Sequence, residues 1–340
     1  MQIGIVGLPF SGKSTLYQTI TKTHLGPAAL TKTEAHHAIV KVPDPRLDRL
    51  SALFSPQTTM QATIEFVDVV GLKKGESGSS LFANDAVPHP DGPVDPLRDI
   101  ASFEPEFILS DLSIIETRLD RIRKMAQKTG DEQMKRELPV LEQCRRILES
   151  GKPLRAIEFS REDLHVLKTY QLLSIKPLLI ALNFDESQRI AAEETGRLVA
   201  AKAGEKNTNV VSFFGKIEME MSELPDEEAK AFMGEYGIKE SALNTLIREA
   251  YALLGLQSFF TVGEDECRAW TIRTGLTAQE AAGAIHTDFI GKFIRAEVVH
   301  YDDFIAHGGS FPKVKEAGLW RLEGKEYVVK DGDIISIRHG

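Results

Sequence analysis

The stretch Gly7-Leu8-Pro9-Phe10-Ser11-Gly12-Lys13-Ser14-Thr15 constrains this chain more than any other. It follows the apolar run from Ile3 to Val6 and precedes a helix-like segment that begins at Leu16. The glycines of a GxxxxGK[ST] spacing let the backbone curl until several amide hydrogens point inward, at the positive end of the next helix. Such a loop receives a di- or triphosphate. Lys13 is placed to neutralise the β and γ phosphates and Ser14 to ligate Mg2+. A phosphate loop needs a strand before it and a helix after it; Gln2 to Val6 and Leu16 to Ile20 supply both. The nucleotide-binding set read from this stretch is Gly7, Phe10, Ser11, Gly12, Lys13, Ser14 and Thr15.

Two later segments fit the same chemistry. Thr63 to Asp68 is strand-like, and Asp68-Val69-Val70-Gly71 at its end matches DxxG. In that pattern the aspartate holds Mg2+ through water and the Gly71 amide meets the γ phosphate. The next residue is Leu72, where many nucleotide switches carry a glutamine that orients the attacking water. Leucine cannot hydrogen-bond water, so hydrolysis must use another group. Asn183-Phe184-Asp185-Glu186 ends the apolar run Lys176 to Asn183, where GTPases place NKxD to grip guanine. Glu186 is one methylene longer than the aspartate of that motif, which disfavours the bidentate grip on guanine. The same residues also read as a helix N-terminus whose acidic side chains favour the helix dipole.

The rest of the chain places these motifs. With 340 residues, 42% hydrophobic and 27% charged, it should make two or three globular domains with a sizeable core. A net charge of −9 argues against a surface devoted wholly to nucleic acid or anionic membrane. Cys144 and Cys267 make neither a disulfide framework nor a zinc cluster, and a cytoplasmic protein without a membrane segment is expected. Ala38 to Val42 is strand-like, and Arg46 to Phe54 has helical spacing. From Gly71 to Asp99 the chain is rich in Gly, Ser, Pro and Asp, and no segment has the apolarity of a buried strand. Phe107 to Ala126 carries apolar residues at 108, 112, 115, 119 and 122, and Met134, Leu138, Leu141 and Leu148 continue the spacing beyond Thr129-Gly130-Asp131. A helical hairpin, an antiparallel coiled coil, is predicted there; heptads alone leave open whether it is simple packing or a partner-binding arm. Beyond it, helix Asp185 to Ala203, strand Asn209 to Phe213 and helices at Glu227–Tyr236 and Ser241–Leu253 resume the βα alternation. From about Gln257 short strands and a helix at Thr277–Ile285 read as a small α+β domain.

These pieces together resemble the YchF family, also called Obg-like ATPases. The resemblance rests on Gly7 to Thr15, Val42 to Asp48, Asp68 to Leu72, Asn183 to Glu186, Phe259 to Gly263, Arg268 to Ile272, Ala281 to Phe289 and Tyr327 to Asp333, in family order along nearly the whole chain. It implies an α/β fold: a P-loop NTPase G domain interrupted by a helical coiled-coil hairpin and followed by a small α+β TGS domain. The expected boundaries are 1–100 with 174–256 for the G domain, 101–173 for the insertion and 257–340 for the TGS domain. It also implies Mg2+-dependent hydrolysis of ATP in preference to GTP and association with ribosomes, the large subunit being the expected contact. RNA contact is expected through the arm and the TGS domain, where Arg268, Arg273, Lys292 and Arg295 are the phosphate candidates. The nucleotide set then takes in Asn183, Phe184 and Glu186, the metal set is Ser14 and Asp68, and the catalytic set is Lys13, Gly71 and His89. His89, in Asn84-Asp85-Ala86-Val87-Pro88-His89, stands in the segment resembling the one that carries the family's hydrolytic histidine; read from the residues alone, a histidine between two prolines is also ordinary exposed surface.

Three departures qualify the resemblance. Phe10 stands where the family has an asparagine used toward a monovalent cation, which removes the ground for a potassium dependence. The switch threonine that completes the Mg2+ shell is left open between Thr31 and Thr33. Between Ser77 and Asn84 the chain lacks a switch helix and an apolar strand, about 20–25 residues. Loss of an inner strand should disrupt the sheet, so a skipped stretch is expected, and an intact mass equal to the 37.7 kDa of this sequence would refute that. Two rival functions stay in view: a GTPase of the same fold, which tighter GTP than ATP binding would reveal, and a nucleotide-sensing adaptor with negligible hydrolysis.

Overall fold

The computed structural model of the chain describes residues 2–6, 12–22, 36–68, 95–126, 132–203, 206–235, 238 and 240–340. In chain order these form β1 (Gln2–Ile5), α1 (Lys13–Thr21), β2 (His36–Lys41), α2 (Pro45–Phe54), β3 (Thr58–Met60), β4 (Thr63–Asp68), α3 (Pro96–Ala126), α4 (Glu132–Glu149), α5 (Arg161–Leu167), β5 (Leu178–Asn183), α6 (Arg189–Ala203) and β6 (Thr208–Phe213). They continue with α7 (Gly215–Glu223), α8 (Asp226–Glu235), α9 (Ala242–Leu253), β7 (Leu256–Thr261), β8 (Glu266–Arg273), α10 (Ala278–Ile285), α11 (Asp288–Lys292), β9 (Phe293–His300), α12 (Tyr301–Ala306), α13 (Phe311–Glu316), β10 (Arg321–Glu323) and β11 (Asp333–His339). No helix among the described residues is long and apolar enough to cross a membrane.

The chain divides into two compact units, one of Gly4–His37 with Phe66–Leu246, the other of Met1–Ile3, Ala38–Glu65 and Ile247–Gly340. In the first unit the predicted hairpin is present. Ile108, Ile115, Leu119 and Ile122 of α3 bury against Val140, Leu141, Cys144 and Leu148 of α4, the stripe that the three-four spacing requires. α3 starts earlier than the expected Phe107. Asp95 accepts hydrogen bonds from the amides of Leu97 and Arg98, both at 3.1 Å, and Pro96 fills a first-turn position where its missing N–H costs nothing. The first turns of α3 then pack Phe103 and Phe107 edge to face, 4.5 Å between ring centroids, into an apolar cluster with Ile180, Leu182, Phe184, Ala192 and Val199. One helix of 31 residues therefore serves two cores, and Pro105 lies near the change from one to the other.

Two buried polar groups tie the hairpin base down. The fully buried Asp111 of α3 accepts from the amides of Leu173 and Ser174 at 2.8 and 2.7 Å and from the Ser174 hydroxyl at 2.6 Å. Buried Arg155 pairs with Glu104 of α3 and donates through Nε to the Thr208 hydroxyl at the start of β6. The alternating βα pattern predicts one nucleotide-binding sheet, yet the described strands form two: β1-β4-β2 and β5-β6. β5 and β6 run parallel, from Leu178 opposite Thr208 to Asn183 opposite Phe213. Residues 69–94, between β4 and α3, lie outside the described residues.

In the second unit the strand order is β10-β9-β11-β7-β8-β3. Its core includes Phe259, Ile272, Ala296, Val298 and Ile335, covered by Ala278 and Ala281 of α10. β3, from the N-terminal part of the chain, adds to the edge parallel to β8, Thr58 opposite Glu266. α2 belongs to the same unit: Arg46 bridges Asp44 and Asp331, both at 2.8 Å, and the Phe54 ring stacks on Phe304 at 6.0 Å.

Candidate nucleotide site

Gly12 opens α1 from a left-handed turn, φ 85° and ψ 16°, a conformation that costs any residue with a Cβ. The turn leads directly into the N-terminus of α1, the positive end of the helix dipole, where a phosphate is favoured. Gly12→Ala should cost about 1–2 kcal/mol in this turn. A lowered melting temperature together with weakened nucleotide binding is the expected result; unchanged values for both would show that the left-handed turn is dispensable.

Behind the turn, α1 and β4 bring three polar side chains together. The Ser14 hydroxyl donates to Asp68 Oδ2 at 3.3 Å, across 54 positions of sequence. Asp68 is buried, and burial raises its carboxyl above the ordinary carboxylate range, opposed by the Ser14 hydrogen bond and the charges of Lys13 and His36. Burial also lowers the Lys13 ammonium from its ordinary value, against the pull of Asp68. A hydroxyl and a carboxylate side by side are hard oxygen donors that suit Mg2+, an ion that keeps several waters and draws other ligands from phosphate. Among the described residues no group of three or more His, Cys, Asp or Glu could hold a metal. Thr15, next along α1, is exposed.

The C-terminal ends of β5 and β6 meet the same turn. Asn183 Oδ1 accepts from the Gly215 amide at 2.9 Å, and a Cβ on Gly12 would lie 3.5 Å from Asn183 Nδ2. Asn183 thus links the start of α1 with the start of α7. Phe184 is buried in the apolar cluster, its ring 6.5 Å from that of Phe214. Asp185 accepts from the amide and hydroxyl of Ser187 at 3.0 and 2.8 Å, which fixes the turn that follows. Glu186 sits exposed at the start of a short 3-10 turn, Glu186–Gln188. Gly215 and the Asn183 strut were not read from the sequence; the signal was Phe214-Gly215-Lys216 directly after a strand, a place where a backbone amide faces the end of the sheet. Gly7, Phe10, Ser11, Thr31, Thr33, Gly71, Leu72, His89 and the stretch from Ser77 to Asn84 lie outside the described residues.

Comparison with known proteins gives a consistent set. Residues 256–340 match the family model YchF-GTPase_C, described as "Protein of unknown function (DUF933)". The "Ribosome-binding ATPase YchF" of Haemophilus influenzae is 41% identical over 360 residues, covering 98% of this chain and 98% of the relative. The "Obg-like ATPase 1" of Rattus norvegicus is 34% identical, covering 98% of this chain and 91% of the relative. The solved structure of the Schizosaccharomyces pombe YchF GTPase superposes with a TM-score of 0.83 at 28% identity, over 99% of this chain and 97% of that one. The 360-residue alignment to the H. influenzae protein is longer than the 340 residues present here, so at least 20 residues of that relative have no counterpart in this chain.

Proposed function

This chain belongs to the family of YchF and Obg-like ATPases, and from that premise we propose that it is a Mg2+-dependent nucleoside triphosphatase that prefers ATP to GTP. In this reading it acts as a nucleotide switch on the ribosome in the cytoplasm. The observation that carries the reading is the meeting of the Ser14 hydroxyl and the Asp68 carboxylate beside Lys13, at the turn that Gly12 opens. Phosphoryl transfer to water asks the protein mainly for positioning and charge stabilisation. Lys13 and the α1 amides hold the phosphates; Ser14, and Asp68 through water, would hold Mg2+, which would supply charge neutralisation at the phosphate oxygens. The Gly71 amide meets the γ phosphate, and His89 orients or deprotonates the attacking water in place of the glutamine that Leu72 replaces.

Preference for ATP rests on Glu186 at the fourth motif position. Its exposed carboxylate, beyond Asn183, is longer than the aspartate that pairs with guanine. The relatives are named ATPases and the superposed structure a GTPase, so nucleotide choice is the point to measure. Calorimetry should give tighter binding of ATP than of GTP, and turnover should rise as ribosomes, the large subunit first, are titrated in. Tighter GTP binding would reverse the base assignment; ATP binding without phosphate release, with or without ribosomes, would make the protein an adaptor. RNA contact is assigned to the hairpin arm, to the exposed Arg273, Lys292 and Arg295, and to the half-buried Arg268, whose guanidinium lies 4.0 Å from the Trp270 ring centre.

A further inference from the structure

The hairpin arm and the nucleotide turn share more than a domain. Arg118 of α3 grips Glu137 of α4 through two hydrogen bonds, 2.7 and 2.9 Å, which keeps the arm's helices in register. At the arm's base the fully buried Asp111 accepts three hydrogen bonds from Leu173 and Ser174. Ser174 in turn accepts the Arg155 amide through its carbonyl at 2.9 Å, and Arg155 reaches Glu104 and Thr208. Four residues after Ser174 the chain enters β5, which ends on Asn183, the residue that holds Gly215 and lies against Gly12. The other face of this connection is packed, Phe103 of α3 against Ile180 and Leu182 of β5.

A carboxylate buried this deeply is costly unless every acceptor site is used, and such a group fixes one arrangement at the expense of all others. Tilting α3 would strip Asp111 of its donors, so the segment 173–174, and β5 behind it, must follow the arm. We infer that Asp111 is a positioning residue that couples the arm to the nucleotide turn: displacement of the arm by a partner moves Asn183 against Gly12, and nucleotide binding by reciprocity orders the arm. The inference rests on the nucleotide reading above.

Hydrogen–deuterium exchange on the full chain, with and without Mg2+ and a non-hydrolysable ATP analogue, tests it. Protection of residues 12–20 reports nucleotide binding alone. In the wild type, protection should also extend to Leu173, Ser174 and the buried stripe of α3 and α4. Asp111→Asn places an amide N–H against the Ser174 or Leu173 donors. It should keep protection at 12–20 while the nucleotide effect on the arm falls by at least about fivefold, the lower end of ordinary site-to-site coupling. A merely structural role would raise arm exchange equally with and without nucleotide, leaving the ratio unchanged, and would overturn the inference. So would wild-type protection confined to 12–20. Should Asp111→Asn not fold, Ser174→Ala removes only the hydroxyl donor and should reduce the arm response part way; a full response in that variant overturns the coupling as well. Absence of protection at 12–20 in the wild type defeats the nucleotide reading itself, a pattern distinct from the others.

Discussion

Lys13→Ala should lower nucleotide turnover by about a hundred- to a thousand-fold, the range seen when one preorganised charge-stabilising donor is removed from a transition state. The ammonium is held beside Asp68 in a place where burial already disfavours its charge, so its electrostatic effect on a phosphate is larger than at an exposed site. The same burial means that the folded protein gains little from Lys13 in the absence of ligand. Removal should therefore leave the melting temperature within a few degrees while turnover collapses. Steady-state phosphate release, with circular dichroism as the control, separates the two effects. Turnover within threefold of wild type would remove Lys13 from the chemistry and leave the loop as a binding element only.

Phe103→Ala should destabilise the protein by about 3–5 kcal/mol, the usual cost of truncating a buried aromatic side chain. Phe103 is 2% exposed and fills the apolar cluster between the first turns of α3 and strand β5. Its edge-to-face contact with Phe107 is lost as well. The control is on the same helix: Leu109, 64% exposed, should tolerate alanine within about 0.5 kcal/mol. Urea denaturation of both variants makes the comparison. Equal midpoints for the two would mean that α3 does not depend on the β5 core for its anchorage.

The contrast between these two helix positions shows what the sequence makes legible. The apolar spacing at 108, 115, 119 and 122 found the arm, because a stripe repeated every three or four residues needs no knowledge of its partner. The start of α3 was less visible. The stretch to Asp99 is rich in Gly, Ser, Pro and Asp, and the apolar stripe shared with α4 begins only at Ile108, so the first turns, which Asp95 caps and which pack on β5 instead, carried no matching signal. Strand Thr63–Asp68 and helix Pro45–Phe54 fall within a residue of the reading from pattern. β3 carries three exposed residues and no alternation, and its partner β8 lies more than 200 positions away, so its place in the C-terminal sheet left no local trace. Asp111 in a helix and Arg155 in the turn after the hairpin were hidden for a related reason: a charged residue reads as solvated surface until its distant partners are known. In the site, the spacing of the glycine-lysine-serine run is a local signal that sequence alone displays, whereas the Asn183–Gly215 contact depends on two strand ends that only the fold brings together.

The closed base of the hairpin bears on how the chain finds this fold. β4 ends at Asp68 and β5 begins at Leu178, so the nucleotide fold must close over residues 69–177 before its two strand groups can share a core. The hairpin's contacts are local and form early, and once Asp111 has captured Leu173 and Ser174 the far end of the excursion is returned to α3. What remains to be closed is the stretch from β4 to α3, which lowers the entropic cost of joining the strands by on the order of 1 kcal/mol. The arm is then a shortcut for folding, a splint that assembles first and delivers β5 to the core that the first turns of α3 also enter.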